Sequence, residues 1–139
     1  MNSLLMHASC VAVNGRGVLI IGASGTGKSA LALQLIAYGA DLIADDQTQI
    51  ALHDQHLIAT CPPQLSGMIE ARGLGLLYSP PRPRAILAIV VDLDQTEPQR
   101  LPPKRIISLL GVSLPLVLGA KSNHFPASVL CYLKGARLE

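Results

Sequence analysis

Read for its alternation of apolar and polar positions, the chain divides into short strand-like runs separated by turn signals. Ser9 to Val13 and Gly17 to Ile21 are apolar runs on either side of Asn14-Gly15-Arg16, and an Asn-Gly pair between two such runs predicts a hairpin. The second run leads straight into Gly22-Ala23-Ser24-Gly25-Thr26-Gly27-Lys28-Ser29. Ala30 to Tyr38 then reads as a helix of good formers stopped by Gly39, and Leu42 to Ala44 as a buried strand ending in Asp45-Asp46. Strand, glycine loop, helix and strand together make half of a three-layer α/β unit.

Farther along, Thr48 to Leu52 and His56 to Ala59 flank a polar turn at His53-Asp54-Gln55 and predict a second hairpin. Ile69-Glu70-Ala71-Arg72-Gly73 follows a Pro-rich loop, and Pro80-Pro81-Arg82-Pro83 interrupts the chain before the apolar strand Ala85 to Val91. Asp92 to Lys104 carries three prolines and mixed charge, which predicts a surface connection. Ile106 to Leu118 is apolar but divided by Gly111 and Pro115, and Pro126 to Arg137 reads as a C-terminal helix.

Composition narrows the class. A length of 139 residues is expected to form one domain, residues 1–139, around one core. Aromatic residues are only 3%, Trp is absent and Phe125 is the only Phe, so Leu, Ile, Val and Ala must build that core. Charged residues are 14%, against about 25% in an average domain, so much of the surface is weakly polar and an oligomer is expected. Eleven Lys and Arg against nine Asp and Glu give a net charge of +2, too small and scattered for a nucleic-acid stripe or an anionic-membrane binder.

The longest apolar run, Ala85 to Val91, falls far short of the about 20 residues that span a bilayer, and MNSLLMHASC has no signal-peptide character. Cys10, Cys61 and Cys131 are odd in number, widely spaced and without a CxxC pair. They are expected to be reduced, buried, inert thiols of a cytoplasmic protein.

Residues 22 to 29 match G-x-x-x-x-G-K-[ST] at every fixed position, between an apolar strand and a helix, as the chemistry of the motif requires. Backbone N–H groups of Gly22, Ala23, Ser24, Gly25, Thr26 and Gly27 can turn inward around phosphate oxygens, while the helix N-terminus adds partial positive charge. Lys28 supplies a full charge to the β and γ phosphates, and the Ser29 hydroxyl is placed to hold Mg²⁺. A nucleoside triphosphate is therefore the expected ligand.

Transfer to a hydroxyl needs a further metal anchor, a carboxylate that takes the proton, and cations for the moving charge. Asp45 and Asp46 end a strand soon after the loop, where carboxylates face the phosphates in a parallel α/β unit. Asp92, at the end of AILAIVV, has the look of a Walker B acid. Pattern alone leaves the Asp45-Asp46 pair and Asp92 both open.

These stretches resemble one family, HPr kinase/phosphorylase, in its C-terminal catalytic domain. The matching segments are His7 before a hairpin into GVLIIGASGTGKSALALQLIAYGADLIADD, then GMIEARGLGLL at 67 to 77, then AILAIVVDL. The histidine stands 21 residues before the lysine, and the likeness covers residues 7 to 95. With no counterpart of the family's N-terminal domain, the chain resembles the short form that consists of the catalytic domain alone.

The resemblance implies a P-loop three-layer α/β fold with a central mixed sheet, related to the nucleotide-binding core of PEP carboxykinase. It implies ATP- and Mg²⁺-dependent phosphorylation of a serine on an HPr-like phosphocarrier protein, with reverse phosphorolysis by inorganic phosphate giving pyrophosphate. A hexamer in the cytoplasm is implied too, with neither nucleic acid nor membrane as partner. Asp46 then becomes the proton acceptor in the forward direction and donor in reverse, His7 an active-site histidine, Lys28 the phosphate-binding lysine, and Glu70 the Mg²⁺ contact beside Ser29. Asp92 falls at a position that is not catalytic in the family. The catalytic arginine is matched best by Arg100, in Arg100-Leu101. The family's Pro-Val-Arg-x-Gly-Arg-Asn loop has no counterpart, since Leu114 to Gly119 lacks both arginines, which bears on the phosphorylase half. Two other functions use the same loop: a nucleotide-sensing regulatory module, which needs no Asp46, and a small-molecule kinase, for which the chain leaves little room for a lid.

Overall fold

In the computed structural model, which describes residues 2–138, the chain begins with β1 (Ser3–Met6), β2 (Ser9–Val13), β3 (Arg16–Ile21), α1 (Lys28–Ala37) and β4 (Asp41–Ala44). It continues through β5 (Thr48–His53), β6 (His56–Thr60), β7 (Met68–Ala71), β8 (Gly75–Tyr78) and β9 (Ala85–Thr96). β10 (Arg105–Leu109), β11 (Val112–Gly119) and α2 (Phe125–Gly135) complete it, while Met1 and Glu139 lie outside the described residues. Asn14 and Gly15 take φ of 53° and 77°, the mirror-image turn whose twist suits a hairpin, and Val13 pairs with Arg16. Asp54 and Gln55 do the same between β5 and β6, setting His53 opposite His56.

The main sheet is mixed, in the order β1-β5-β6-β9-β3-β2-β4. β3 and β9 are parallel, as are β9 and β11, and the remaining pairs are antiparallel. β4 is therefore parallel to β3 but one strand removed, with β2 between them. β9 is long enough to hold two neighbours along one edge: β6 pairs at Ala85 and Ile86, and β11 from Val90 onward.

The central strands are apolar on both faces, so they read as unbroken runs. Val18, Ile20, Ile89 and Val91 point to the side where Leu31 and Leu35 of α1 meet Val129, Leu130 and Leu133 of α2. Leu19, Val90, Cys10 and Ile43 point to the other side, whose core consists of strand residues and the short connections between them. α1 ends in a Schellman arrangement, with Gly39 N–H donating to Ile36 C=O and Ala40 N–H to Leu35 C=O, both at 2.9 Å. Arg16 Nη1 donates to Leu133 C=O at 2.6 Å, tying the end of α2 to the β2–β3 turn.

Several expectations are corrected. The apolar strand does not stop at Val91: it runs to Thr96, because β11 pairs with it at Asp92 and Thr96, while Asp92 accepts the Asp94 N–H at 2.9 Å and the Gln95 side-chain amide at 3.0 Å in the irregular stretch between. Pro115 does not divide its segment. It lies within β11 just before pairing with β9 starts at Leu116, where β11 has a neighbour on one side only. β1 and β8 are strands that periodicity missed; both are four residues long and largely exposed. Of the three cysteines, all with free thiols, only Cys10 is buried, and Cys131 is exposed.

Candidate active site

Gly25 and Gly27 adopt φ of 85° and 100°, a region most side chains avoid, and a Cβ at either would meet nothing within 4 Å. Backbone freedom, not space, is what glycine supplies here. Gly27 is also the residue preceding α1, which starts without a side-chain cap and without an acidic residue in its first turn. Its opening N–H groups are thus left for an anion. Lys28 is buried, with its ammonium donating to Gly22 C=O at 2.7 Å and Ala23 C=O at 3.0 Å.

The two adjacent aspartates part company. Asp45 is buried and accepts the Ser9 and Ser29 hydroxyls, both at 2.7 Å on Oδ1, and the Glu70 N–H at 3.1 Å on Oδ2. One carboxylate thereby joins β2, the start of α1 and β7. Asp46 is exposed, with φ of 70°, at the centre of a three-residue turn closed by Gln47 N–H on Asp45 C=O at 2.8 Å. Such turns are rare and strained, and strain of this kind concentrates at functional sites. The turn aims Asp46 Oδ1 at His7 Nε2, 3.2 Å away. His7 is steadied by its neighbour: Ala8 donates its N–H to Asp46 C=O at 3.2 Å and accepts the buried Thr48 hydroxyl at 2.9 Å.

A cavity of about 610 Å³ unites these groups. His7, Lys28, Ser29, Asp46 and Glu70 all line it, as do Ser24, Gly25 and Gly27 of the loop. Gly22, Ala23 and Thr26 do not line it, and the Ala23 and Thr26 N–H groups expected to face phosphate are already engaged, with Asp94 Oδ1 at 2.9 Å and Ala23 C=O at 3.2 Å; Thr26 Oγ1 also donates to Ala23 C=O at 2.7 Å. Arg72, in the turn joining β7 to β8, also lines the cavity and forms none of the ion pairs found among the described residues. Arg100 is not brought in: it is exposed on the connection between β9 and β10, outside the cavity lining.

The donor set suits Mg²⁺ carried with a nucleotide. Among the described residues no group of three or more His, Cys, Asp and Glu side chains forms a cage. Mg²⁺ uses one or two protein oxygens and completes its shell with phosphates and water. Ser29 Oγ and the Glu70 carboxylate are hard oxygen donors on the one cavity, and Asp45 links to both residues. Asp92, engaged at the end of β9, does not line it.

No helix among the described residues is long and apolar enough to cross a membrane. The chain is similar to an HPr kinase/phosphorylase of Cupriavidus metallidurans, 37% identical over 124 residues that make up 81% of this chain and 38% of that protein. An HPr kinase/phosphorylase of Lacticaseibacillus casei is 47% identical over 73 residues, 52% of this chain and 23% of the relative. The chain thus spans well under half the length of these relatives. The fold matches the structure of the HPr(Ser) kinase/phosphatase from Coxiella burnetii with a TM-score of 0.79, at 24% identity and over 97% of both chains. The sequence profile of the HPr serine kinase C-terminal domain matches residues 1–80, more than half the chain, and the chain belongs to that family.

Proposed function

We propose that this protein phosphorylates a serine hydroxyl on an HPr-like phosphocarrier protein, using ATP and Mg²⁺, and runs the reverse phosphorolysis with inorganic phosphate to give pyrophosphate. The observation that carries this reading is that Asp46 and Lys28 line one cavity of about 610 Å³, so a carboxylate and a cradle for phosphate share the same space. A phosphate loop alone serves binding. A strained acid opposite it serves proton transfer.

In this reading the loop N–H groups and Lys28 hold the triphosphate and neutralise charge on the moving phosphoryl group. Ser29 and Glu70 hold Mg²⁺, which when bound neutralises phosphate charge and orients the oxygens. Asp46 accepts the serine proton as the oxygen attacks, and His7 keeps the carboxylate aimed and balances its charge. Arg72 supplies a second cation at the cavity wall, a role for which Arg100, on the connection after β9, is the rival that the family resemblance offers. The free thiols support a cytoplasmic setting. Exposed Leu74, Leu76, Tyr78 and Ile106 support an assembly, which the family resemblance makes a hexamer.

Incubating the protein with labelled ATP, Mg²⁺ and HPr, then adding inorganic phosphate, tests the reading. Label on an HPr serine, later released as pyrophosphate, is the expected result. Nucleotide bound with no label transferred would reduce the protein to a sensor.

A further inference from the structure

The Gly22–Ala23 peptide unit is gripped at both ends by opposite charges. Its N–H donates to Asp94 Oδ1 at 2.9 Å, and its C=O accepts the Lys28 ammonium at 2.7 Å. A peptide dipole has its positive end at N–H and its negative end at C=O, so an anion on one side and a cation on the other both favour this orientation. The Ala23 carbonyl is held as well, by Thr26 N–H at 3.2 Å, Thr26 Oγ1 at 2.7 Å and Lys28 at 3.0 Å. Asp94 is itself fixed, since its N–H is bound by the Asp92 carboxylate at 2.9 Å. Its setting is the break in β9–β11 pairing, where Leu118 pairs with Asp92 and Gly119 with Thr96, leaving the residues between free to project toward the loop.

We infer that Asp94 is a positioning residue for Lys28. By holding the Gly22–Ala23 N–H, it keeps the carbonyl end turned inward, where it holds the ammonium near the cavity. Asp94 does not line the cavity, so it acts through the peptide and not on the ligand. Without it only the Lys28 contact at the carbonyl end opposes rotation of the peptide, so Lys28 has a less fixed acceptor and the first turn of the loop is less firmly held. The hydrogen bond needs an acceptor oxygen at this place, not a full charge, so asparagine should serve where alanine fails.

Amide hydrogen exchange at Ala23, read by NMR in the free protein, tests the grip. Calorimetric titration with ADP, the one part that rests on the nucleotide reading, tests its consequence. Asp94→Ala should speed Ala23 exchange about tenfold and weaken ADP about fivefold, the size of one ordinary hydrogen bond. Asp94→Asn should restore both to near the parent's values. Asp94 is exposed, and a thermal melt close to the parent's establishes that both variants are folded. Parent-like Ala23 exchange in Asp94→Ala, or an asparagine variant as impaired as the alanine one, would overturn the inference. A parent protein that takes up no ADP would sink the phosphate-loop reading, while the exchange arm still decides the role of Asp94.

Discussion

Asp46 and His7 meet at 3.2 Å although they lie on different connections, one after β4 and one before β2. The pair sits at the cavity wall and about half of each side chain is open to solvent, 65% for Asp46 and 50% for His7, so an incoming hydroxyl can reach the carboxylate. Asp46→Asn keeps the size of the group and removes its basicity. Serine phosphorylation should fall by about 10² to 10⁴, the range for loss of a general base, with ADP affinity unchanged. Lys28→Ala should show the opposite pattern, losing ADP affinity first. Calorimetry beside a phosphoserine assay separates the two, and full activity in Asp46→Asn would remove it from the chemistry.

Asp45 is the structural member of the pair. Replacing it with alanine leaves the Ser9 hydroxyl and the Glu70 N–H, as well as the Ser29 hydroxyl, without their acceptor. A loss of about 3 kcal/mol in urea unfolding is expected, from the cost of stranded buried donors. A loss below about 0.5 kcal/mol would mean that these groups find other partners.

Arg72 and Arg100 make competing claims on the second cation. Arg72 lines the cavity and Arg100 does not. Arg72→Ala should therefore cut phosphoryl transfer at least about tenfold, the effect of losing one charge-assisted contact. Arg100→Ala should cost less. The reverse order would show that the connection after β9 folds over the cavity during turnover.

The Arg105 guanidinium grips Glu97 through contacts of 3.1 to 3.2 Å and holds its carboxyl below the usual glutamate range, aided by the Gln99 N–H. A carboxylate with a lowered native pKa stabilises the fold fully above its unfolded value, about 4.3, and loses that contribution as pH falls through the native one. The difference in urea midpoint between the parent and Glu97→Gln should therefore be largest above about pH 5 and shrink toward pH 3. A difference constant across that range would rule the ion pair out as its source.

Where local chemistry decides structure, the sequence was readable. Asn14-Gly15 formed its turn, Gly39 ended α1, and the glycine loop came between a strand and a helix. Lys28 and Ser29, singled out by the glycine-loop motif, and His7, Asp46 and Glu70, singled out by the family resemblance, come to one cavity. What stayed hidden depends on distant partners. β1 is ordered by pairing with β5, and β9 continues past Val91 because β11 pairs with it as far as Thr96. The division of labour between Asp45 and Asp46 is equally invisible in a dipeptide: it comes from three elements converging on one and a strained turn exposing the other.

The dependence of β3 on β9 has a consequence for biosynthesis. Ala23 and Asp94 are 71 residues apart, and the strands that carry them to each other are parallel neighbours at the heart of the sheet. A nascent chain emerging from the ribosome exposes its glycine-rich segment long before the partner strand exists. Contacts of such separation form late and slowly. The part of the molecule most recognisable in the amino-acid order is thus among the last to take shape, and a translation product cut short before residue 94 would carry the motif without its scaffold.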